Sequence, residues 1–361
     1  MACMKKAFAS AMFLLAFQLS MPAQEDVPEL TGSVSFNVAS RSGRVERLAV
    51  SIGDGGSGPY KAILWGEPSL PTHAIYRPRD LRPFGPQNPL PIVAFGNGGC
   101  RNTSGEFRNM LSEIASQGFL VVAIGPAGNA VVMGSEERQN MTAASQLLDG
   151  VTWAVAENSR AGSPYYQKLA ATKIAVSGQS CGAQQAIEVS GDPRVTTTVA
   201  LSQGINMGQP GAGRGPNGAP GRAGAGRGPA PPDRYAPFAQ LLIRSPDDPG
   251  LARKRPGPEV LTQIHAPIIF ITGGDTDSGH RSATANFEAI DQVSAVHAWQ
   301  QVGHYPATYR EPNGGAFAKA AGAWLKWQLK GDKESAKMFL GPQCGLCNDS
   351  KWTIERKKID Q

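Results

Sequence analysis

From about residue 90 onward, short apolar runs alternate with segments whose apolar residues recur at helical spacing. Residues 91–95 form a continuous apolar run ending in Gly96-Asn97-Gly98-Gly99, and residues 107–117 follow with Phe107, Met110, Leu111 and Ile114 on one side of a helix. Residues 119–124 predict the next strand, and 143–156 a helix carrying Leu147, Leu148, Val151 and Val155. Strands are predicted at 173–177, 196–201, 267–272 and 295–302, with a helix beginning over 184–189. The last helix is predicted over 315–329, with Phe317, Ala320, Ala321, Trp324 and Leu325 on its turns. Uninterrupted apolar strands between helices are buried on both faces, so the expected fold class is α/β, with a mainly parallel central sheet and helices on both sides. Residues 44–52, 59–64 and 72–76 are joined by Gly/Pro turns and predict an antiparallel N-terminal edge to that sheet.

Two segments stand apart. Residues 208–232 hold 9 Gly, 6 Pro and 5 Ala with Arg214, Arg222 and Arg227, so no side chain there can build a core, and a flexible surface insertion is expected. Residues 1–23 carry Lys5 and Lys6, an apolar run with Met12, Phe13, Leu14, Leu15 and Phe17, and small residues ending at Ala23. That order predicts a cleaved signal peptide, because the run is shorter than the roughly 20 apolar residues a spanning helix needs. The expected organisation is a leader at 1–23 and a single domain at 24–361, secreted or periplasmic, without stable membrane insertion after cleavage.

The chain has 361 residues and a formal charge of +6; losing Lys5 and Lys6 leaves 33 basic against 29 acidic residues. So small an excess forms no basic face and gives no reason to expect a nucleic-acid partner. Of five cysteines, Cys3 leaves with the leader, and the remaining four are an even number in an oxidising compartment. Five histidines in no metal-ligand spacing offer no metal cage, and no cofactor is implied. Oligomeric state is not legible.

The chemistry-bearing residues fall at the ends of the predicted strands. Gly178-Gln179-Ser180-Cys181-Gly182 fits G-x-S-x-G between a strand and a helix, a sharp turn that presents a nucleophilic serine at a helix N-terminus. Such a serine needs backbone N–H donors for an oxyanion; Cys181, Gly98 and Gly99 are the candidates. It also needs a base and a carboxylate, found in the order Ser, Asp, His as Ser180, then Asp275 or Asp277 in Gly274-Asp275-Thr276-Asp277, then His304 after Gly303. Asp277 is preferred because it lies deeper in its loop, with Asp275 as the competing acid. His280 is the rival base; His73 is read as preceding the sheet and His297 as a packing residue within a strand.

These motifs, together with Gly96-Asn97-Gly98-Gly99-Cys100, resemble an α/β-hydrolase-fold serine esterase over nearly the whole mature chain. The likeness is nearest to the secreted dienelactone-hydrolase and polyester-hydrolase-like branch, and it extends to the tail segments Tyr309–Gly315 and Trp324–Asp332. It implies hydrolysis of small-molecule or polymer esters through an acyl-enzyme, with peptide hydrolysis or an inactive binding protein of the same fold as alternatives. It also implies that the loops bearing Cys100 and Cys181 are neighbours, hence a Cys100–Cys181 disulfide rather than two buried thiols, and a second bridge Cys344–Cys347. Gln179 and Cys181 depart from the His or Trp and the Met that polyester hydrolases place there, so an aromatic polymer clamp is not expected. The serine at the elbow departs from the cysteine of dienelactone hydrolases.

Overall fold

The computed structural model describes residues 32–39, 45–52, 55–127, 141–207, 244–245, 248–252 and 256–359. The expected leader at 1–23 and insertion at 208–232 lie outside the described residues. Strands β1 (Gly32–Ala39) and β2 (Val45–Ile52) form an antiparallel pair of their own. The expected edge is corrected accordingly: the strand at 44–52 does not join the main sheet but pairs along its whole length with β1 in a separate two-stranded sheet. The edge consists of β3 (Ala62–Gly66) and β4 (His73–Pro78), so His73 opens a sheet strand rather than preceding the sheet.

The remaining elements alternate as the apolar pattern requires. They are β5 (Leu90–Gly96), α1 (Arg108–Ser116), β6 (Leu120–Ile124), α2 (Ser145–Ser159), β7 (Leu169–Gln179), α3 (Cys181–Glu188) and β8 (Val195–Leu201). A short pair, β9 (Arg244–Ser245) and β10 (Asp248–Ala252), precedes β11 (Ile268–Thr272), α4 (His280–Ala289), β12 (Ala295–Trp299), α5 (Gly315–Lys330) and β13 (Thr353–Lys357). Among the described residues, nine strands make one sheet in the order β13-β12-β11-β8-β7-β5-β6-β4-β3. The six from β12 to β6 run parallel, while β13 pairs antiparallel with β12 at one edge, and at the other β4 pairs antiparallel with β6 and β3 antiparallel with β4.

Alternation along each parallel strand sorts side chains to two faces. Val93, Phe95, Val121, Ala123, Ile269 and Ile271 pack on one face with Met110, Leu111 and Ile114 of α1 and Phe317, Ala321, Trp324 and Leu325 of α5. Ile92, Ala94, Val122 and Val176 pack on the other with Leu147, Val151 and Ala154 of α2, while Phe270 and Ala295 meet Ile187 of α3 and Phe287 of α4. Each such fully buried Ile, Leu or Phe contributes about 1.5–3 kcal/mol of transfer free energy. The chain steps one way from β5 to β6 and the other way from β7 through β12. Because parallel crossovers are right-handed, that reversal sends α1 and the later helices α2, α3 and α4 to opposite faces. It also opens a crevice beyond the C-terminal ends of β5 and β7, where α/β sheets place their sites.

Candidate active site

Ser180 stands in that crevice, between the last residue of β7 and the first of α3. Its backbone holds φ 53° and ψ −116°, a region a serine rarely adopts, and its N–H donates to Leu201 C=O at 2.8 Å. Close approach explains the flanking glycines. A Cβ on Gly182 would lie 2.1 Å from the Gly96 carbonyl, and one on Gly178 would lie 2.3 Å from the Gly182 carbonyl. The turn between β7 and α3 therefore sits directly against the end of β5, and α3 starts at Cys181, three residues earlier than the apolar pattern indicates.

The loop after β11 brings Asp277 under the loop after β12. Asp277 is buried, and both its oxygens are engaged: Oδ2 accepts from Gly273 N–H and Oδ1 from Gly279 N–H, each at 2.8 Å. His304 Nδ1 lies 2.6 Å from Asp277 Oδ1, and His304 Nε2 lies 2.9 Å from Ser180 Oγ. A carboxylate only accepts, so Nδ1 carries the proton and Nε2 is left to accept from the serine hydroxyl. Burial pushes the Asp277 carboxyl up, but the His304 hydrogen bond and charge, with the two backbone donors, outweigh it and hold it below the usual carboxylate range. Asp277 thus stays ionised, and its partner His304 is itself partly open to solvent, at 22% side-chain exposure.

The competing residues lie elsewhere. Asp275 is exposed; its N–H donates to Gln301 Oε1 at 3.0 Å and its carboxylate meets Gln301 Nε2 at 3.4 Å. His280 Nδ1 and His297 Nε2 both meet the Thr272 hydroxyl, at 2.8 and 3.0 Å, in a cluster with Trp299 behind Asp277. Burial, and next the neighbouring His280, push His297 down to about 3, so it remains neutral.

The glycine loop after β5 is stapled from inside. Asn97 is buried and its Nδ2 donates to Arg101 C=O at 2.9 Å and Ile124 C=O at 2.7 Å. Cys100 N–H donates to Asn97 C=O and Arg101 N–H to Gly98 C=O, turns whose donors are Cys100 and Arg101 rather than Gly98 or Gly99. Cys100 and Cys181 are disulfide-bonded with 5.1 Å between Cα atoms, and Cys344 and Cys347 form a second bridge. The three candidate oxyanion donors, Gly98, Gly99 and Cys181, therefore belong to two loops covalently joined beside Ser180.

Several site contacts have no sequence motif: Gln179 reaching the His304 carbonyl, and an Arg101–Glu106–Tyr305 cluster beside the glycine loop. Gln179 precedes Ser180, Arg101 follows Cys100 and Tyr305 follows His304, and those adjacencies are the signal the sequence holds for them. A cavity of about 530 Å³ between α1 and α5, lined by Glu113, Lys326 and Met338, contains none of these residues. Among the described residues no helix is long and apolar enough to cross a membrane. No protein-family model matches the chain, and no curated protein matches it.

Proposed function

We propose that this protein is an exported serine hydrolase of the α/β-hydrolase fold that cleaves carboxylic esters. The observation that carries the reading is the hydrogen-bonded chain Ser180–His304–Asp277, assembled from three separate loops at the C-terminal edge of a parallel sheet. Ser180 Oγ attacks the ester carbonyl while His304 Nε2 takes its proton. Asp277 holds the imidazole in the tautomer that can accept that proton and stabilises the charge His304 then carries. The tetrahedral oxyanion is met by the N–H of Cys181 at the start of α3 and by N–H groups of the Gly98-Gly99 turn. His304 returns the proton to the departing alcohol, leaving an acyl group on Ser180. Water, deprotonated by His304, releases the acid and restores the serine. Export is supported by the leader-like first 23 residues and by two disulfides, which persist in oxidising compartments.

The test is a substrate panel of short-chain, long-chain and aryl esters beside peptide amides, assayed with wild type and Ser180→Ala. Ser180-dependent ester turnover is expected; its absence across the panel overturns the reading, and turnover confined to amides reassigns it to peptide hydrolysis.

A further inference from the structure

Gly98 is gripped from two directions by side chains that also hold the loop of His304. Gln179 is fully buried and its Nε2 donates to the His304 carbonyl at 3.1 Å. A carbonyl can only accept, so this bond fixes which way the amide faces and turns Oε1 the other way. That oxygen lies against Gly98: a Cβ built on Gly98 would come within 2.3 Å of it. From a second direction, Arg101 Nε donates to Gly98 C=O at 2.9 Å. The same guanidinium pairs with Glu106 and reaches the Tyr305 hydroxyl at 3.4 Å, while Tyr305 donates to Glu106. Tyr305 is the residue after His304, and its ring is set among Phe107 and Tyr309. Burial and then the Glu106 carboxylate push its hydroxyl well above the ordinary value, so it remains a proton donor.

We infer that Gln179 and Arg101 are positioning residues that lock the Gly98–Gly99 peptide to the His304 loop, so that the oxyanion donors and the base are set as one unit. The inference rests on the ester-hydrolase reading above. Its physical core is the planarity of the peptide bond: Gly98 C=O and Gly99 N–H belong to one rigid trans group and point in opposite directions. Holding the carbonyl with a guanidinium therefore aims the N–H. A charge-assisted bond at the carbonyl also polarises the peptide and makes Gly99 N–H a stronger donor. Gln179 Oε1 stands where a side chain on Gly98 would project, so that flank of Gly98 is closed by packing while Arg101 holds its carbonyl. Glu106 keeps the guanidinium aimed at Gly98 and offsets its charge beside a site where a cation would otherwise act on every bound ester alike.

Two variants remove the arms separately: Gln179→Met keeps the length but loses the amide, and Arg101→Lys keeps the charge but loses the fork. Kinetics with 4-nitrophenyl acetate and the rate of fluorophosphonate labelling at Ser180 are measured for wild type, each variant and the double variant. Each single change is expected to lower kcat about ten- to a hundredfold, with KM changed less than about twofold, as misplaced donors cost the transition state and not the bound ester. The double variant is expected to lose far less than the product of the two factors, since both arms hold one peptide. Should Gln179→Met fail to fold, Tyr305→Phe, which removes one hydroxyl from the other arm, carries the same kcat-specific expectation. Unchanged kcat, a rise in KM alone, or multiplicative factors in a wild type that does turn over the ester overturn the inference alone. A wild type that neither hydrolyses the ester nor takes the phosphonate at Ser180 overturns the hydrolase reading, and this inference with it.

Discussion

Cys181, the residue after Ser180, is covalently bonded to Cys100, the residue that closes the glycine loop. The bond spans 81 residues of sequence and joins the end of β5 to the start of α3, so it constrains the unfolded chain as well as the site. Replacing both cysteines with alanine is expected to lower stability by about 2–4 kcal/mol. Activity should fall further than stability, because Cys181 N–H and the glycine turn lose their common anchor. Denaturant melts and ester kinetics on the double variant check both; full activity in a destabilised protein would limit the bridge to a structural role.

The two aspartates of the β11 loop make a second test. Asp277 is buried and bonded to His304, whereas Asp275 is exposed and bonded to Gln301. Asp277→Asn should lower kcat by about 10⁴, through the wrong imidazole tautomer. Asp275→Asn should stay within about twofold of wild type, as an exposed loop change does. The opposite ranking in steady-state assays would reassign the acid.

The elbow is predicted to be intolerant of a single methyl group. Gly182→Ala places a carbon 2.1 Å from the Gly96 carbonyl, where backbone on both sides must give way. A loss of about 3 kcal/mol or more is expected, at the upper end of overpacking costs. Gly322, whose added Cβ would meet nothing within 4 Å, is the control: Gly322→Ala should be neutral or stabilising in the same urea melts.

Acid sensitivity should trace to a histidine outside the site. His297 is buried among Phe270, Phe287 and Trp299, and its value falls from an ordinary 6.5 to about 3. The unfolded chain therefore binds a proton between those limits that the folded chain refuses. This stability is fully present above pH 6.5 and is lost progressively as pH drops toward 3. The full loss is of the order of 5 kcal/mol, with buried His73, also lowered by burial, adding in the same direction. His297→Leu should flatten the pH dependence of the urea midpoint between pH 6.5 and 4; an unchanged slope would assign the acid sensitivity elsewhere.

What the sequence could and could not reveal follows from how each feature is encoded. Strands such as Leu120–Ile124 and Ile268–Thr272 are buried on both faces, and that environment writes itself as an unbroken apolar run. Ser180, Asp277 and His304 were legible because strand-end loops with glycine and a reactive side chain have a local signature. The strand Thr353–Lys357 was not, because it is half-exposed at an edge and reads Thr-Ile-Glu-Arg-Lys. The strand at Val45–Ile52 was recognisable, but its pairing depends on Gly32–Ala39, whose strand signal is the alternation of Val34, Phe36 and Val38 with polar residues, and a linear pattern does not say which strand pairs with which. The contacts of Gln179, Arg101 and Tyr305 have no such signature, for a related reason. Their contacts join residues up to 204 positions apart, and nothing in a linear pattern records which polar side chains will meet across two loops.

The backbone of Ser180 has a consequence for how the molecule fails. A serine held at φ 53° stores about 1–3 kcal/mol, kept in place by the contact of Gly182 with Gly96 and by the bond from Ser180 N–H to Leu201. The elbow is thus a loaded spring at the rim of a rigid sheet. When heat or denaturant slackens those two restraints, the serine relaxes to negative φ and its hydroxyl leaves His304, while the buried strands beneath remain paired. Inactivation should run ahead of unfolding, and the protein would go silent before it melts.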